Sequence, residues 1–160
     1  MTVRYMHAIT ERYKALGYTP YRWYQAEDAP AWTPHAKRLA DSRIGMLSTS
    51  GAYALGQVAY HYKDDTSLRC IPSTTPAHDL RFSHLTENYL VDARGDPDCL
   101  VPLTALRALV AEGFIGGLAD EVFSCMGAVY SQRRVREEIA PALLAAFREQ
   151  KVDAALLVAM

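Results

Sequence analysis

The sequence predicts an α/β fold: a single three-layer domain with a mostly parallel, Rossmann-like sheet and an extended aromatic arm at its N-terminus. Three observations carry this. The chain has 160 residues, 50% of them apolar, and a chain of that length buries about 70% of the surface it exposes when unfolded, enough for one core. Short apolar runs alternate with amphipathic stretches in the order β, β, α, β, α, β, which favours parallel pairing through helical crossovers. The run Val152 to Met160 (VDAALLVAM) is apolar enough for a central strand buried on both faces.

Two regions are expected, 1–40 and 41–160. In the first, Met6, Ile9, Tyr13 and Leu16 recur at helical spacing and Gly17 is a plausible stop. The first forty residues also hold five of the ten tyrosines, both tryptophans and three of the eight prolines. Their run GYTPYRWYQAEDAPAWTP has neither a 2- nor a 3.6-residue period, which makes it an extended arm. Such an arm covers its own domain's core or wraps a neighbouring subunit, and it favours a homo-oligomer. In the second region, strands are expected near 43–48, 80–84, 121–125 and 154–159, with a polar, turn-rich insertion from Gly56 to Pro76. Pro102 opens a helix carrying Leu103, Leu106, Leu109 and Val110 on one face, and Gly113 ends it. A second helix runs from about Arg134 to Gln150 with Ile139, Leu143, Leu144 and Phe147 inward, and Pro141 kinks or restarts it.

Charge and motifs narrow the function. Seventeen Lys and Arg against 18 Asp and Glu leave a net charge of -1, so neither nucleic acid nor an anionic membrane is an expected partner. No run approaches about 18 apolar residues and no signal peptide is evident, so a cytoplasmic protein is expected. Cys70, Cys99 and Cys125 form no CxxC motif and are odd in number. Neither GxxxxGK[ST] nor GxGxxG occurs, and His7, His35, His61, His78 and His84 show no metal-ligand spacing. No cofactor and no metal are expected.

In an open α/β sheet, ligands bind beyond the C-terminal ends of the strands. That places Thr49, Ser50 and Gly51, then Ser83 and His84, then Ser124 and Cys125, and finally Met160, around one crevice. Thr49-Ser50-Gly51 either offers N–H groups and hydroxyls to a substrate anion or is a structural turn. His84 either exchanges a proton near neutral pH or orders the loop after it. Asn88 hydrogen-bonds a substrate or simply makes a turn. Cys125 is a nucleophile or a buried, inert thiol. Catalytic roles are therefore assigned to His84 and Cys125, and substrate-binding roles to Thr49, Ser50, Gly51, Ser83, Asn88 and Ser124.

Several strings together resemble one family, the selenoprotein B subunits of glycine, sarcosine, betaine and D-proline reductases. They are GYTPYRW, EDAPAWTP, RIGMLSTSG, SLRCIP, DLRFSH with Asn88 following, CLVPLTALRALVAEGFIGGLADEVFSCMG and VDAALLV. The resemblance implies a subunit that, with a pyruvoyl-containing partner, reductively cleaves a C–N bond of a small amino-acid-like substrate. It places a selenol or thiol nucleophile in a UxxC or CxxC motif directly after the strand that VDAALLV resembles, which is beyond Met160. Three explanations stay open: a selenocysteine codon read as a stop, a shortened chain, or a divergent relative without the dithiol. What the resemblance carries over is the scaffold side: Thr49, Gly51, His84, Asn88, Cys99, Ser124, Met126 and Gly127. Two alternatives stand beside it. One is an enzyme of specialised metabolism acting on an amine or thiol intermediate without a dithiol centre, and the other is a non-catalytic scaffold or binding subunit.

Overall fold

The computed structural model describes residues 4–20 and 24–160. The chain divides into two compact units, Met1–Pro34 and His35–Met160. In the first, helix α1 spans Tyr5–Ala15 and ends as its spacing predicts. The N–H groups of Gly17 and Tyr18 donate to the carbonyls of Lys14 and Tyr13, the paired bonds that close a helix C-terminus. Residues 24–34 of the aromatic run form neither helix nor strand. Tyr21, Arg22 and Trp23 of that run lie outside the described residues.

The second unit contains β1 (Arg43–Ser48), β2 (Ala52–Ala54), β3 (Arg69–Pro72), β4 (Leu80–Phe82), α2 (Val91–Gly95) and α3 (Leu103–Ala111). It continues with β5 (Gly117–Leu118), β6 (Glu121–Ser124), α4 (Gln132–Arg134), α5 (Ala140–Glu149) and β7 (Ala154–Val158). Strand β1 is the hub of the main sheet, parallel to β5, β6 and β7, and β3 joins β6 antiparallel. Ile44 pairs with both Leu118 and Ala154, and Leu47 with both Phe123 and Leu157. A strand has only two edges, so β7 occupies one edge of β1 while β5 and β6 share the other. The mixed α/β class and the mostly parallel main sheet stand as predicted.

Two strand expectations need correction. The stretch 80–84 does form a strand, but β4 ends at Phe82 and pairs antiparallel with β2 in a separate two-stranded sheet. Its alternation is Leu80 and Phe82 inward with Arg81 outward, which fits a half-buried strand in any sheet. The choice of partner rests on the Ala52–Ala54 segment, too short to show a pattern. Strand β7 is not buried on both faces either. Among the described residues its only strand partner is β1, and Leu157 remains 67% exposed. An apolar run states a preference for burial, but the layers packed on the two faces of the sheet have to supply it.

The core follows from alternation along β1. Ile44 and Met46 point into a cluster with Ile71, Val122, Leu90, Val101, and Leu103 and Leu106 of α3. Each such side chain, fully buried, contributes about 1.5–3 kcal/mol before conformational entropy is counted. Gly45 points the other way, where a Cβ would stand 2.8 Å from Cε1 of Phe147 on α5. The Phe147 ring in turn meets Phe123 of β6 edge-on at 5.4 Å. Helix α3 closes at Gly113, whose φ is +71°, and the Phe114 N–H donates to the Leu109 carbonyl. Before α5 the ladder widens into a π-helical segment, Val135–Ile139, with the Ala140 N–H reaching Val135. Pro141 follows at once and has no N–H to continue an ordinary ladder.

Candidate functional site

Strands β1 and β6 reach their C-terminal ends side by side, Ser48 opposite Ser124. The chain leaves β1 through Thr49-Ser50-Gly51, and this turn is laced to the end of β6. Cys125 N–H donates to the Ser48 carbonyl at 3.0 Å, Gly51 N–H to the Cys125 carbonyl at 3.0 Å, and Gly127 N–H to the Thr49 carbonyl at 2.9 Å. The N–H of Thr49 is used by the Val158 carbonyl at 3.0 Å, and its Oγ1 accepts from Met160 N–H at 3.0 Å. Both of these turn N–H groups therefore serve the fold's own ladder.

Gly51 explains how the small sheet joins this place. Its φ is +67°, and a Cβ there would lie 2.0 Å from the Ser83 carbonyl oxygen and 3.6 Å from the His84 Cβ. The Ser83 N–H donates to the Gly51 carbonyl at 3.0 Å. The structure thus brings Thr49, Ser50, Gly51, Ser83, His84, Ser124, Cys125 and Met160 to one strand-end rim. Asn88 does not share their burial: it is exposed, in the 3-10 turn Glu87–Tyr89.

The hydroxyls differ in how they are satisfied. Ser48 and Ser50, both fully buried, share a contact of 2.8 Å between their Oγ atoms. Ser83 Oγ donates to the Tyr60 carbonyl at 3.2 Å. Ser124 Oγ, fully buried, has no hydrogen-bond partner, and neither has Nε2 of His84. Burying a polar group without a partner costs about 1–3 kcal/mol, so two such atoms at one rim mark a place where the fold itself does not use its polar capacity.

His84 is 7% exposed. Its Nδ1 accepts from the Thr86 backbone N–H at 3.1 Å and lies 2.7 Å from Thr86 Oγ1. Burial lowers its pKa, opposed by the Glu87 charge, so the ring is neutral at pH 7. Glu87 is held by Arg94 and accepts from the His84 backbone N–H at 3.3 Å. Cys125 is also buried, and burial alone pushes its thiol up to about 11. Among the described residues no cationic group counters that desolvation, which is the opposite of the environment that activates a nucleophilic cysteine.

Tyr60 and Arg69 were given no role from the sequence because both lie in the turn-rich insertion, where no periodicity singles them out. Tyr60 is 5% exposed and its O–H donates to the Ser124 carbonyl at 2.6 Å. The Arg69 guanidinium lies 4.2 Å over the Tyr60 ring and donates to the carbonyls of Val58 and Ala59. Together they staple the insertion to the end of β6. Tyr60→Phe removes one hydrogen bond and keeps the ring, so it should cost about 1 kcal/mol, read as a lower denaturant midpoint with unchanged far-UV circular dichroism.

Among the described residues no three His, Cys, Asp or Glu side chains form a group that could hold a metal ion, and no helix is long and apolar enough to cross a membrane.

Residues 87–160 match the family model of glycine/sarcosine/betaine reductase selenoprotein B. The chain is 32% identical over 130 residues to the D-proline reductase subunit gamma of Acetoanaerobium sticklandii, a stretch covering 81% of this chain and 53% of the relative. The chain thus spans about half the length of the curated relative it matches. No solved structure matches it. The matched region holds β6 and β7, whose C-terminal ends meet that of β1 at the rim, and the two comparisons together support selenoprotein B-like family membership for the chain.

Proposed function

We propose that this chain is a reductase-family subunit whose strand-end rim binds a small amino-acid-like molecule for reductive C–N cleavage. The observation that carries the reading is the pair of buried, unpartnered polar atoms, Ser124 Oγ and His84 Nε2, on a rim to which the family-matched residues contribute the ends of β6 and β7. An amino-acid-like ligand supplies acceptor oxygens and an amine that such atoms can take up. His84 and Ser124 act as ligand-binding groups, and Thr49, Ser50, Gly51 and Ser83 shape the rim around them. Cys125 packs rather than attacks, because its buried thiol stays protonated. Replacing a C–N bond by C–H and N–H requires two electrons, and Cys70, Cys99 and Cys125 are all free thiols without a disulfide partner. In this reading the electron-donating selenol or dithiol follows β7 on this same subunit, as the family resemblance implies, and a partner subunit supplies the carbonyl group that activates the amine. The three-layer arrangement belongs to the same proposal: α3 packs on the Ile44–Met46 face of β1, and Phe147 of α5 on the Gly45 face.

The test is ligand binding followed by nuclear magnetic resonance. D-proline, glycine, sarcosine and betaine, named by the family and the relative, are titrated separately into the protein. At least one should shift the amide resonances of Ser124 and His84 saturably, and His84→Ala should weaken that response about tenfold, the loss of one buried hydrogen bond. If all four leave both resonances unmoved at millimolar concentration, the reading fails.

A further inference from the structure

We propose that Thr86 is a positioning residue that locks His84 in the tautomer carrying its proton on Nε2, so that the rim presents a fixed, buried hydrogen-bond donor to a carboxylate or carbonyl oxygen. The inference deepens the proposed function, since it rests on His84 facing the ligand.

The geometry decides which nitrogen bears the proton. A backbone N–H can only donate, and that of Thr86 points at Nδ1 of His84 from 3.1 Å. Nδ1 must therefore offer a lone pair. The Thr86 hydroxyl, 2.7 Å from the same nitrogen, is then a second donor to it. A neutral imidazole has one N–H, and with Nδ1 occupied as an acceptor that N–H is Nε2–H. Nε2 is the atom left without a partner in the interior, so the unsatisfied group is a donor and its complement is an acceptor oxygen. The ring is 7% exposed, which leaves little room for water to serve instead. The charged neighbours do not reverse this. Glu87 accepts from the backbone N–H of His84, not from its ring, and is neutralised by Arg94. His84 therefore acts as a neutral donor that orients an oxygen, rather than as a base that removes a proton.

Thr86 is an exposed loop residue, so changes to its side chain leave the core untouched. The experiment uses the full chain labelled with 15N at histidine and a long-range proton–nitrogen correlation that identifies which ring nitrogen is protonated. The expected result is a His84 ring with a protonated Nε2 and an unprotonated Nδ1. In Thr86→Val the Nδ1 resonance should move downfield, because one of its two donors is gone, and Thr86→Ser should return it. A protonated Nδ1 in the natural protein overturns the inference, as does an Nδ1 resonance unchanged by Thr86→Val. D-proline and D-prolinol, which lacks the carbonyl oxygen, separate this inference from the functional reading. Displacement of the Nε2–H proton by D-proline but not by D-prolinol supports both. An Nε2–H tautomer that neither compound perturbs counts against the functional reading and leaves the tautomer assignment standing.

Discussion

Replacing Gly51 by alanine is expected to cost about 3 kcal/mol or more, the combined effect of left-handed backbone strain and a steric clash. The added methyl would sit 2.0 Å from the Ser83 carbonyl oxygen, inside van der Waals contact and against backbone, which cannot rotate away. The φ of +67° is a second penalty for any residue with a Cβ. Relief requires separating the β1 turn from the segment that carries Ser83 and His84, so the rim should come apart with the fold. For a chain of this size the loss corresponds to a fall in melting temperature of roughly 6–12 °C. Gly56→Ala is the control, because Gly56 has a φ of +92° but nothing within 4 Å of its would-be Cβ. It should lose only about 1 kcal/mol. Equal melting temperatures for the two variants would show that the contact with Ser83 is not a constraint.

Thiol labelling should divide the three cysteines into two reactive and one nearly silent. Cys70 and Cys99 are exposed and Cys125 is buried. The Cys125 thiol is raised to about 11 by desolvation, so near neutral pH its thiolate fraction is about 300-fold below that of a free thiol of pKa about 8.5. Its alkylation should be slower by at least that factor and should climb about tenfold per pH unit until the thiol titrates. The sign for stability follows from the same shift. The unfolded thiol ionises first, near the ordinary cysteine value of about 8.5, and the folded one at about 11, so the fold loses stability as pH rises through that window. Cys125→Ala should leave the stoichiometry of fast labelling at two. Three thiols reacting equally fast at pH 7.5 would restore Cys125 as a candidate nucleophile.

Much of the fold was legible in local sequence. The run RIGML followed by STSG marked β1 and its turn, since an apolar strand delivering small residues leaves few alternatives. Gly17 and Gly113 marked helix ends because a positive φ there suits glycine. Strand β4 was legible as a strand and misplaced as a member of the main sheet, because its partner Ala52–Ala54 carries no periodic signal. The exposure of β7 was not legible, since AALLV has the same composition whether both faces of the strand are covered or one stays open. At the site, the convergence of Thr49 to Gly51, Ser124 and Cys125 followed from the strand-end rule. His84 arrived by another route, through the contact between Gly51 and Ser83, and Tyr60 had no pattern to announce it.

By itself, then, the sequence determined four of the strands and the longer helices, the helix ends, the polar residues available at the strand ends and the family resemblance. These depend on periodicity, on backbone preferences of single residues and on strings of neighbours, all of which are local. Only the tertiary structure decided which strands pair, which thiol is buried, which hydroxyls are satisfied and which nitrogen of His84 holds the proton. Those outcomes depend on groups far apart in the chain, such as Tyr60 against Ser124 or Gly51 against Ser83. Desolvation and hydrogen-bond satisfaction are properties of a place in the fold, and that place exists only once the chain has closed around it.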